Sequence, residues 1–239
     1  MAILKPAEFG KDELSKFLDI AQSNSYANFI DKKIEFQKLV DLDGVFRNLV
    51  KNISQQDDAI FGLLLMRCHS SFLNAVRLVM AGSVVDTFVL LRAVLESALY
   101  GLHIDANEDL WKVWLNRHQS DDDLRKCKSE FTYAKVKATL TKKSPLLAQK
   151  IDSLYETTID FGAHPNERAI TSTTRLTKTV EKISFQTDYL AGDALSAKHA
   201  LKVTLQVGVS SLSVFEKMRK ERFEILGMSE ILSRVRIGL

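Results

Sequence analysis

The chain has 239 residues, of which 46% are hydrophobic and 26% are charged. These are ordinary values for a globular protein, and they exclude an intrinsically disordered chain. The 10 glycines and 3 prolines make up about 5% of the residues, against about 12% in an average protein, so a β-sandwich or a collagen-like repeat is excluded. With 33 basic and 30 acidic side chains, the net charge of +3 is too small to require a nucleic-acid partner.

Helix-start signals recur along the chain. Serine or asparagine precedes several apolar-periodic segments, where its side chain can accept a hydrogen bond from a free N–H group, and Pro145 suits the first turn of a helix. These signals predict helices near 12–22, 26–52, 55–80, 83–105, 108–118, 121–142, 145–161 and 193–226, followed by a short terminal helix, with Ser54 as the N-cap of the third. The segment 169–190 is rich in threonine and β-branched residues, which predicts a loop with a small β-hairpin.

The two central helices are apolar on nearly every face, and only Ala81 and Gly82 separate them. Helices of this kind are enclosed by neighbours, so an antiparallel hairpin at the centre of the fold is expected. The predicted fold is therefore an all-α, multi-helix bundle in a single domain over 1–239, with N-terminal helices in 1–54 and the bundle core in 55–225.

The sequence predicts a cytoplasmic protein with no membrane partner. The start of the chain, MAILKPAEFGKDEL, lacks the basic and then apolar pattern of a secretory signal. A membrane span takes about 20 largely uncharged residues, whereas the most apolar stretch, 72–102, is interrupted by four charged side chains, namely Arg77, Asp86, Arg92 and Glu96. The two cysteines, Cys68 and Cys127, fit no zinc or Cys-x-x-Cys spacing, and reduced, packed thiols are expected.

The second central helix carries polar residues on an apolar background. Arg92 and Glu96 are four residues apart, so they share a helix face and can form an ion pair. Folding the hairpin about 81–82 brings His69 level with them, within about 3 Å along the axis. We expect Arg92 and Glu96 to be mostly buried and mutually hydrogen-bonded, either as a network that fixes helix register or as a functional pocket.

A second group of polar residues follows the helix at 145–161. The segment DFGAHPN contains Asp160, His164 and Asn166, and its glycine and proline end the helix, which leaves His164 on an exit loop. The predicted ligand-binding set is therefore His69, Arg92, Glu96, Asp160, His164 and Asn166. No metal or other cofactor is expected, because the sequence lacks the Glu-x-x-His and His-Glu-x-x-His spacings of helical metal sites and the glycine-rich loops that bind nucleotide phosphates.

The runs LLRAVLESALYGLHI and DFGAHPN, which carry Arg92, Glu96 and His164, resemble a group of uncharacterised bacterial all-helical proteins. These proteins are related to the HEPN (higher eukaryote and prokaryote nucleotide-binding) superfamily and to abortive-infection-type proteins. The resemblance covers about residues 55–225 and implies a helical bundle that is often a homodimer. Many HEPN proteins are metal-independent RNases of toxin–antitoxin or phage-defence systems, whereas others only bind partners or nucleotides.

The nuclease motif of that superfamily is an arginine and a histidine with four to six residues between them. His164 matches the histidine, but Thr157, Thr158 and Ile159 occupy the positions where the arginine would stand. The resemblance therefore implies a non-catalytic or degenerate HEPN-like protein that acts through binding, in phage defence or a toxin–antitoxin setting, with a protein partner or RNA. Two alternatives remain: a metal-independent RNase with His164, Arg92 and Glu96 as catalytic residues, and a sensor of a small ligand or nucleotide.

Overall fold

The structure, a computed structural model, describes residues 5–53, 59–179, 182–192 and 194–239. Of the residues that the structure describes, 77% are helical, which confirms the prediction of an all-α bundle with a small β-hairpin. In chain order the described elements are α1 (Glu13–Asp31), α2 (Lys33–Lys51), α3 (Ala59–Ala81), α4 (Val84–Asp105), α5 (Asp109–Leu115), α6 (Asp121–Glu130), α7 (Tyr133–Lys143), α8 (Pro145–Thr158), a π-helical turn (Ile159–Ala163), α9 (Glu167–Thr171), β1 (Thr174–Lys178), β2 (Ile183–Thr187), α10 (Leu195–Met218), α11 (Lys220–Ile225) and α12 (Met228–Arg236). The predicted N-cap at Ser54 lies outside the described residues.

Several helix boundaries differ from those predicted, and local hydrogen bonds explain two of them. The predicted break at 22–26 is wrong, because Ser25 bonds the carbonyl of Ala21 and the chain stays helical through this polar stretch. The predicted helix 121–142 is divided into α6 and α7, since the side chain of Thr132 accepts a bond from the Lys135 N–H and starts a new helix. Thr132 therefore acts as an N-cap, whereas Ser25 lies within a continuous helix.

Helices α3 and α4 form the predicted central antiparallel hairpin. Gly82 joins them with a φ of +88°, and a Cβ at this position would lie 2.2 Å from the carbonyl oxygen of Ala191, so the turn requires glycine. By length and composition each helix could cross a membrane, with a mean hydropathy of 1.3. Core helices share these properties, and 44% of the apolar segment of α3 and 61% of that of α4 are buried within the fold.

Helix α10 packs along α4 and α3 and closes the main hydrophobic core. Helices α2, α8, α11 and α12 add further buried side chains to this core. A second, smaller cluster lies beside it, between α3, the end of α4, α5 and α6, and consists of Leu64, Ile104, Leu110, Cys127 and Phe131. Both cysteines are free and buried. The indole rings of Trp111 and Trp114 stack with their centroids 5.8 Å apart and pack against the smaller cluster.

Two elements lie at the edge of the bundle, at the end where α3 turns into α4. Helix α1 is fixed there by Asn24 and Asn28, whose side-chain amides donate to the carbonyls of Ala81 and Met80 at 3.0 and 2.9 Å. The hairpin pairs β1 with β2 in antiparallel register, with Leu176 opposite Phe185. The chain then returns to the bundle through a hydrogen bond from the Ala191 N–H to the carbonyl of Gly82.

Candidate functional site

Arg92 and Glu96 form the predicted ion pair on α4. Their spacing of four residues places both on one face, and Arg92 Nε donates to Glu96 Oε1 at 2.9 Å. The hydroxyl of Tyr155, on α8, donates to the same carboxylate oxygen at 3.0 Å, and the guanidinium carbon of Arg92 lies 5.1 Å from the centroid of the Tyr155 ring. Glu96 and Tyr155 together fix the guanidinium in position.

These side chains lie at the rim of the bundle, not in its centre. The side chain of Arg92 is 27% exposed and that of Glu96 is 39% exposed, so the pair is mostly but not fully buried, and both side chains reach water. On an all-round apolar helix such as α4, an ion pair is most stable on the one face that reaches water, because a fully buried charge is costly.

The π-helical turn after α8 brings His164 to the same place. Gly162 lies directly against α4, where a Cβ would be 2.3 Å from the carbonyl oxygen of Val85 and 2.9 Å from the Cβ of Phe88. Phe161 packs its ring on that of Phe88, with centroids 5.4 Å apart. The turn therefore rests on the backbone of α4, and the exposed His164 follows it in extended conformation.

Arg92 and His164 are in direct contact. Arg92 Nη1 lies 3.0 Å from His164 Nε2, and since a guanidinium can only donate, this bond requires an unprotonated Nε2 that accepts. Burial alone would lower the pKa of Arg92, but the hydrogen bond and charge of Glu96 raise it, so the guanidinium stays cationic. The cluster therefore presents a fixed cation beside an exposed imidazole.

A small aromatic cavity of about 230 Å³ opens beside Arg92 and Glu96. Its walls include the rings of Tyr133 and Tyr155, which stack 3.9 Å apart, and the side chains of Tyr100 and Phe131. Burial, followed by the charge of Glu96, raises the pKa of Tyr155 to about 12. The phenol is therefore neutral near pH 7 and can act there as a hydrogen-bond donor.

The other predicted ligand-binding residues have different partners. His69 does not meet Arg92: its Nε2 bonds Asp43 on α2 at 2.7 Å, and its ring stacks on Phe46 with centroids 4.9 Å apart. The hairpin brings His69 to the right level, but its side chain points toward α2. Among the described residues, no group of three or more His, Cys, Asp or Glu side chains could hold a metal ion.

Asp160 and Asn166 hold the segment around His164 in place. Asp160 pairs with Arg168 at 2.8 Å. Asn166 donates to the carbonyl of Ile159 at 2.7 Å, and its side-chain oxygen accepts from the Ala169 N–H as the N-cap of α9. Their visible role is to position the loop, whereas Arg92, Glu96 and His164 form the cluster itself.

Sequence reasoning missed Tyr155 and the close approach of Gly162. Nothing local distinguishes Tyr155, because its place in the site depends on how α8 packs against α4. Gly162 could have been found, since a glycine between a phenylalanine and an alanine, inside a continuing helical turn, indicates close backbone packing as well as a helix end.

Comparisons with known proteins find no match. No protein-family model matches the chain, and no curated protein or solved structure matches it either. The residues therefore define the class: an all-helical bundle with a surface cluster of Arg92, Glu96, Tyr155 and His164. The relation to HEPN proteins stays a prediction from the two short motifs.

Proposed function

We propose that this chain is a non-catalytic, HEPN-like helical protein that acts through binding, in bacterial phage defence or a toxin–antitoxin setting. Its ligand carries a phosphate group, as RNA and nucleotides do, and the Arg92–His164 pair receives that group. An arginine fixed in orientation is well suited to phosphate, because several N–H donors point the same way.

One observation carries the proposal. The guanidinium of Arg92 is oriented by Glu96 at 2.9 Å and by the ring of Tyr155, and its Nη1 points to the exposed His164 at 3.0 Å. Glu96 and His164 take up two of the five N–H donors that a guanidinium has. A phosphate oxygen placed beside the imidazole would gain a charge-assisted bond from one of the remaining donors of a group that is already oriented.

The surroundings of Glu96 and Tyr155 argue against catalysis. Metal-independent cleavage of RNA needs groups that accept and donate protons near neutral pH. Glu96 already accepts from both Arg92 and Tyr155, and the raised pKa of Tyr155, about 12, keeps its proton on the phenol. The cluster is therefore better suited to binding a charged group than to transferring protons.

The second candidate function is that of a metal-independent RNase. The contact between Arg92 and His164 favours it, because α4 supplies a cation where the sequence lacks an arginine just before the histidine. In that mechanism His164 would exchange a proton with the ribose 2′-hydroxyl or the leaving oxygen, and Arg92 would stabilise the charge on the phosphate. Glu96 would orient Arg92 as it does in this structure.

The binding proposal is tested by fluorescence anisotropy with a short labelled single-stranded RNA, in chelator, with AMP as competitor. Loss of one charge-assisted bond is worth about 1.5–3 kcal/mol, so Arg92→Ala should weaken binding about 10- to 100-fold. Arg125→Ala is the matched control, since Arg125 is an exposed, ion-paired arginine on α6, and it should change binding by less than about twofold. Failure of RNA and AMP to bind, or an equal loss in both variants, would contradict the proposal.

A cleavage assay separates the two candidates. Purified protein in chelator should leave single-stranded RNA and transfer RNA intact, and His164→Ala should behave like the wild type in that assay. Cleavage by the wild type that disappears in both His164→Ala and Arg92→Ala, and persists in Arg125→Ala, would establish the RNase instead.

A further inference from the structure

Helix α1 presents its apolar side chains to solvent. Of its 19 residues, the one that is buried is Ser15, and the helix is held to α3 through the amides of Asn24 and Asn28. Six large apolar residues, each at least 47% exposed, lie on the outside: Leu14, Leu18, Ile20, Tyr26, Phe29 and Ile30. A surface helix of a globular protein normally shows the opposite arrangement.

The exposed apolar area on α1 lies at the upper end of what a monomer usually leaves uncovered. At about 180 Å² for a fully exposed large apolar residue, these six side chains expose about 600 Å². The largest apolar patch on a typical monomer is about 300–600 Å², and one side of a standard protein interface takes about 800 Å². The face of α1 is therefore of the right size to form the apolar centre of an interface.

The whole chain shows the same excess of surface. A compact monomer of 27.0 kDa is expected to expose about 10,800 Å², whereas this chain exposes 14241 Å². The difference, about 3,400 Å² for one chain, exceeds the roughly 1,000–2,500 Å² that each partner of an obligate dimer covers, so a dimer interface would account for part of it. A second copy would bring the same uncovered face and could cover this one in return.

Charge distinguishes a second copy from other occupants. Within α1 there are three acidic residues, Glu13, Asp19 and Asp31, and one basic residue, Lys16, so the helix is net negative. The negative charge of α1 disfavours binding to an anionic lipid surface or a nucleic acid, because both bind basic helices. Asp19 is paired with Lys5 and Glu13 with Lys16, each at 2.6 Å, so two copies can approach without strong like-charge repulsion.

We infer that the outer face of α1 is the interface of a symmetric homodimer. Helix α1 lies outside the part of the chain that carries the family resemblance, so the inference depends only on the residues described above. It is also independent of the phosphate ligand proposed for Arg92 and His164.

Sedimentation equilibrium of the full chain tests this inference. The wild type should be a dimer at micromolar concentration. Tyr26→Glu combined with Ile30→Glu places four carboxylates in a two-fold interface and should raise the dimer dissociation constant at least about 100-fold. Leu146→Glu combined with Ile225→Glu is the matched control, because these residues are 81% and 83% exposed on α8 and α11, and it should stay dimeric.

Circular dichroism and a melting curve confirm that each variant is folded, and hydrogen exchange of the wild type gives an independent readout. Amides of α1 should exchange more slowly above the dissociation constant than below it. A wild type that stays monomeric at tens of micromolar overturns the inference. So do a dimer that the α1 variant leaves intact, equal dissociation in the control, exchange of α1 that is independent of concentration, or monomeric protein that floats with phosphatidylglycerol vesicles.

Discussion

Arg92 contributes to stability through three neighbours at once, but from a partly exposed position. Removing it leaves Glu96 with the hydroxyl of Tyr155 as its remaining partner, while water can still reach the carboxylate. Solvent screening reduces the cost relative to a buried pair, so Arg92→Ala should lower the free energy of unfolding by about 1–2 kcal/mol. Lys135→Ala, which breaks a more exposed pair with Glu130, should cost less than about 0.5 kcal/mol. Urea denaturation measures both, and equal losses would mean that the contacts of Arg92 add nothing.

Two neighbouring serines on α10 should respond to alanine in opposite directions. Both are buried, but the hydroxyl of Ser211 has no hydrogen-bond partner among the residues that the structure describes. The hydroxyl of Ser213, in contrast, donates to the Val209 carbonyl at 2.7 Å and accepts from Arg236 at 2.5 Å. Ser211→Ala removes an unpaired buried hydroxyl and should stabilise the protein by about 1 kcal/mol. Ser213→Ala should destabilise it by about 1–3 kcal/mol, because Arg236 loses its acceptor. Thermal denaturation of the two variants measures these changes in stability. Destabilisation by Ser211→Ala would contradict the conclusion that its hydroxyl is unpaired.

At the scale of single elements, the π-helical turn depends on Gly162. A methyl group there would meet the backbone of α4 at 2.3 Å, so Gly162→Ala must push the turn and His164 away from Arg92. We expect a loss of more than about 2 kcal/mol in the free energy of unfolding. Gly44→Ala is the control, because a Cβ at that position would have no atom within 4 Å, and alanine within α2 should stabilise by up to about 1 kcal/mol. Chemical denaturation that shows similar effects for both would contradict the packing of the turn.

The contact between α4 and α7 should make stability depend on pH. His103 Nδ1 lies 2.7 Å from the Thr139 hydroxyl, and burial lowers the pKa of His103 from its usual 6.5. The folded protein therefore binds this proton less readily than the unfolded chain does, so the stabilisation is complete above about pH 6.5 and is lost as the pH falls through the lowered pKa.

Denaturation midpoints between pH 7 and pH 5 test this dependence. Within that range the wild type should lose stability, and His103→Asn, which does not titrate, should lose less. Asp152 does not interfere, because its bond to Lys137 holds its pKa below the usual 3.8 and its contribution is lost only in more acidic solution. Identical pH profiles for the two proteins would show that His103 is not the group responsible.

At the scale of the whole molecule, we expect a protease to cut first in the hairpin. An isolated two-stranded sheet is at best marginally stable, and the side chains of β1 and β2 are largely exposed, with Phe185 at 71%. Trypsin should cut first at Arg175 or Lys178, before any site within the long helices. The two fragments should remain together in size-exclusion chromatography, because α10 packs against α4 and α3. Fragments that separate, or a first cut within α3 or α4, would contradict this prediction.

The fold was largely predictable because its elements depend on local signals, whereas the site depends on packing. The apolar periodicity and the two-residue turn predict the α3–α4 hairpin, and the spacing of Arg92 and Glu96 predicts their bond. The hairpin geometry predicts the position of His69 along the helix axis, level with Arg92 and Glu96. It does not predict the direction of the side chain, which bonds Asp43 instead. Tyr155 could not be predicted, since its contact with Glu96 requires the position of α8 relative to α4. The outward apolar face of α1 was also missed, because the apolar side of a helix normally faces the core and α1 departs from that rule.

The two stacked tryptophans on α5, Trp111 and Trp114, determine which part of the protein its fluorescence reports on. The chain has 2 tryptophans, and both belong to this pair, beside the smaller hydrophobic cluster. Tryptophan fluorescence, excited at the long-wavelength edge of protein absorption, therefore reports on that cluster alone. Far-ultraviolet circular dichroism reports on all the helices. If the two signals change together during denaturation, the smaller cluster unfolds with the main core. If the emission changes first, this corner of the molecule opens by itself.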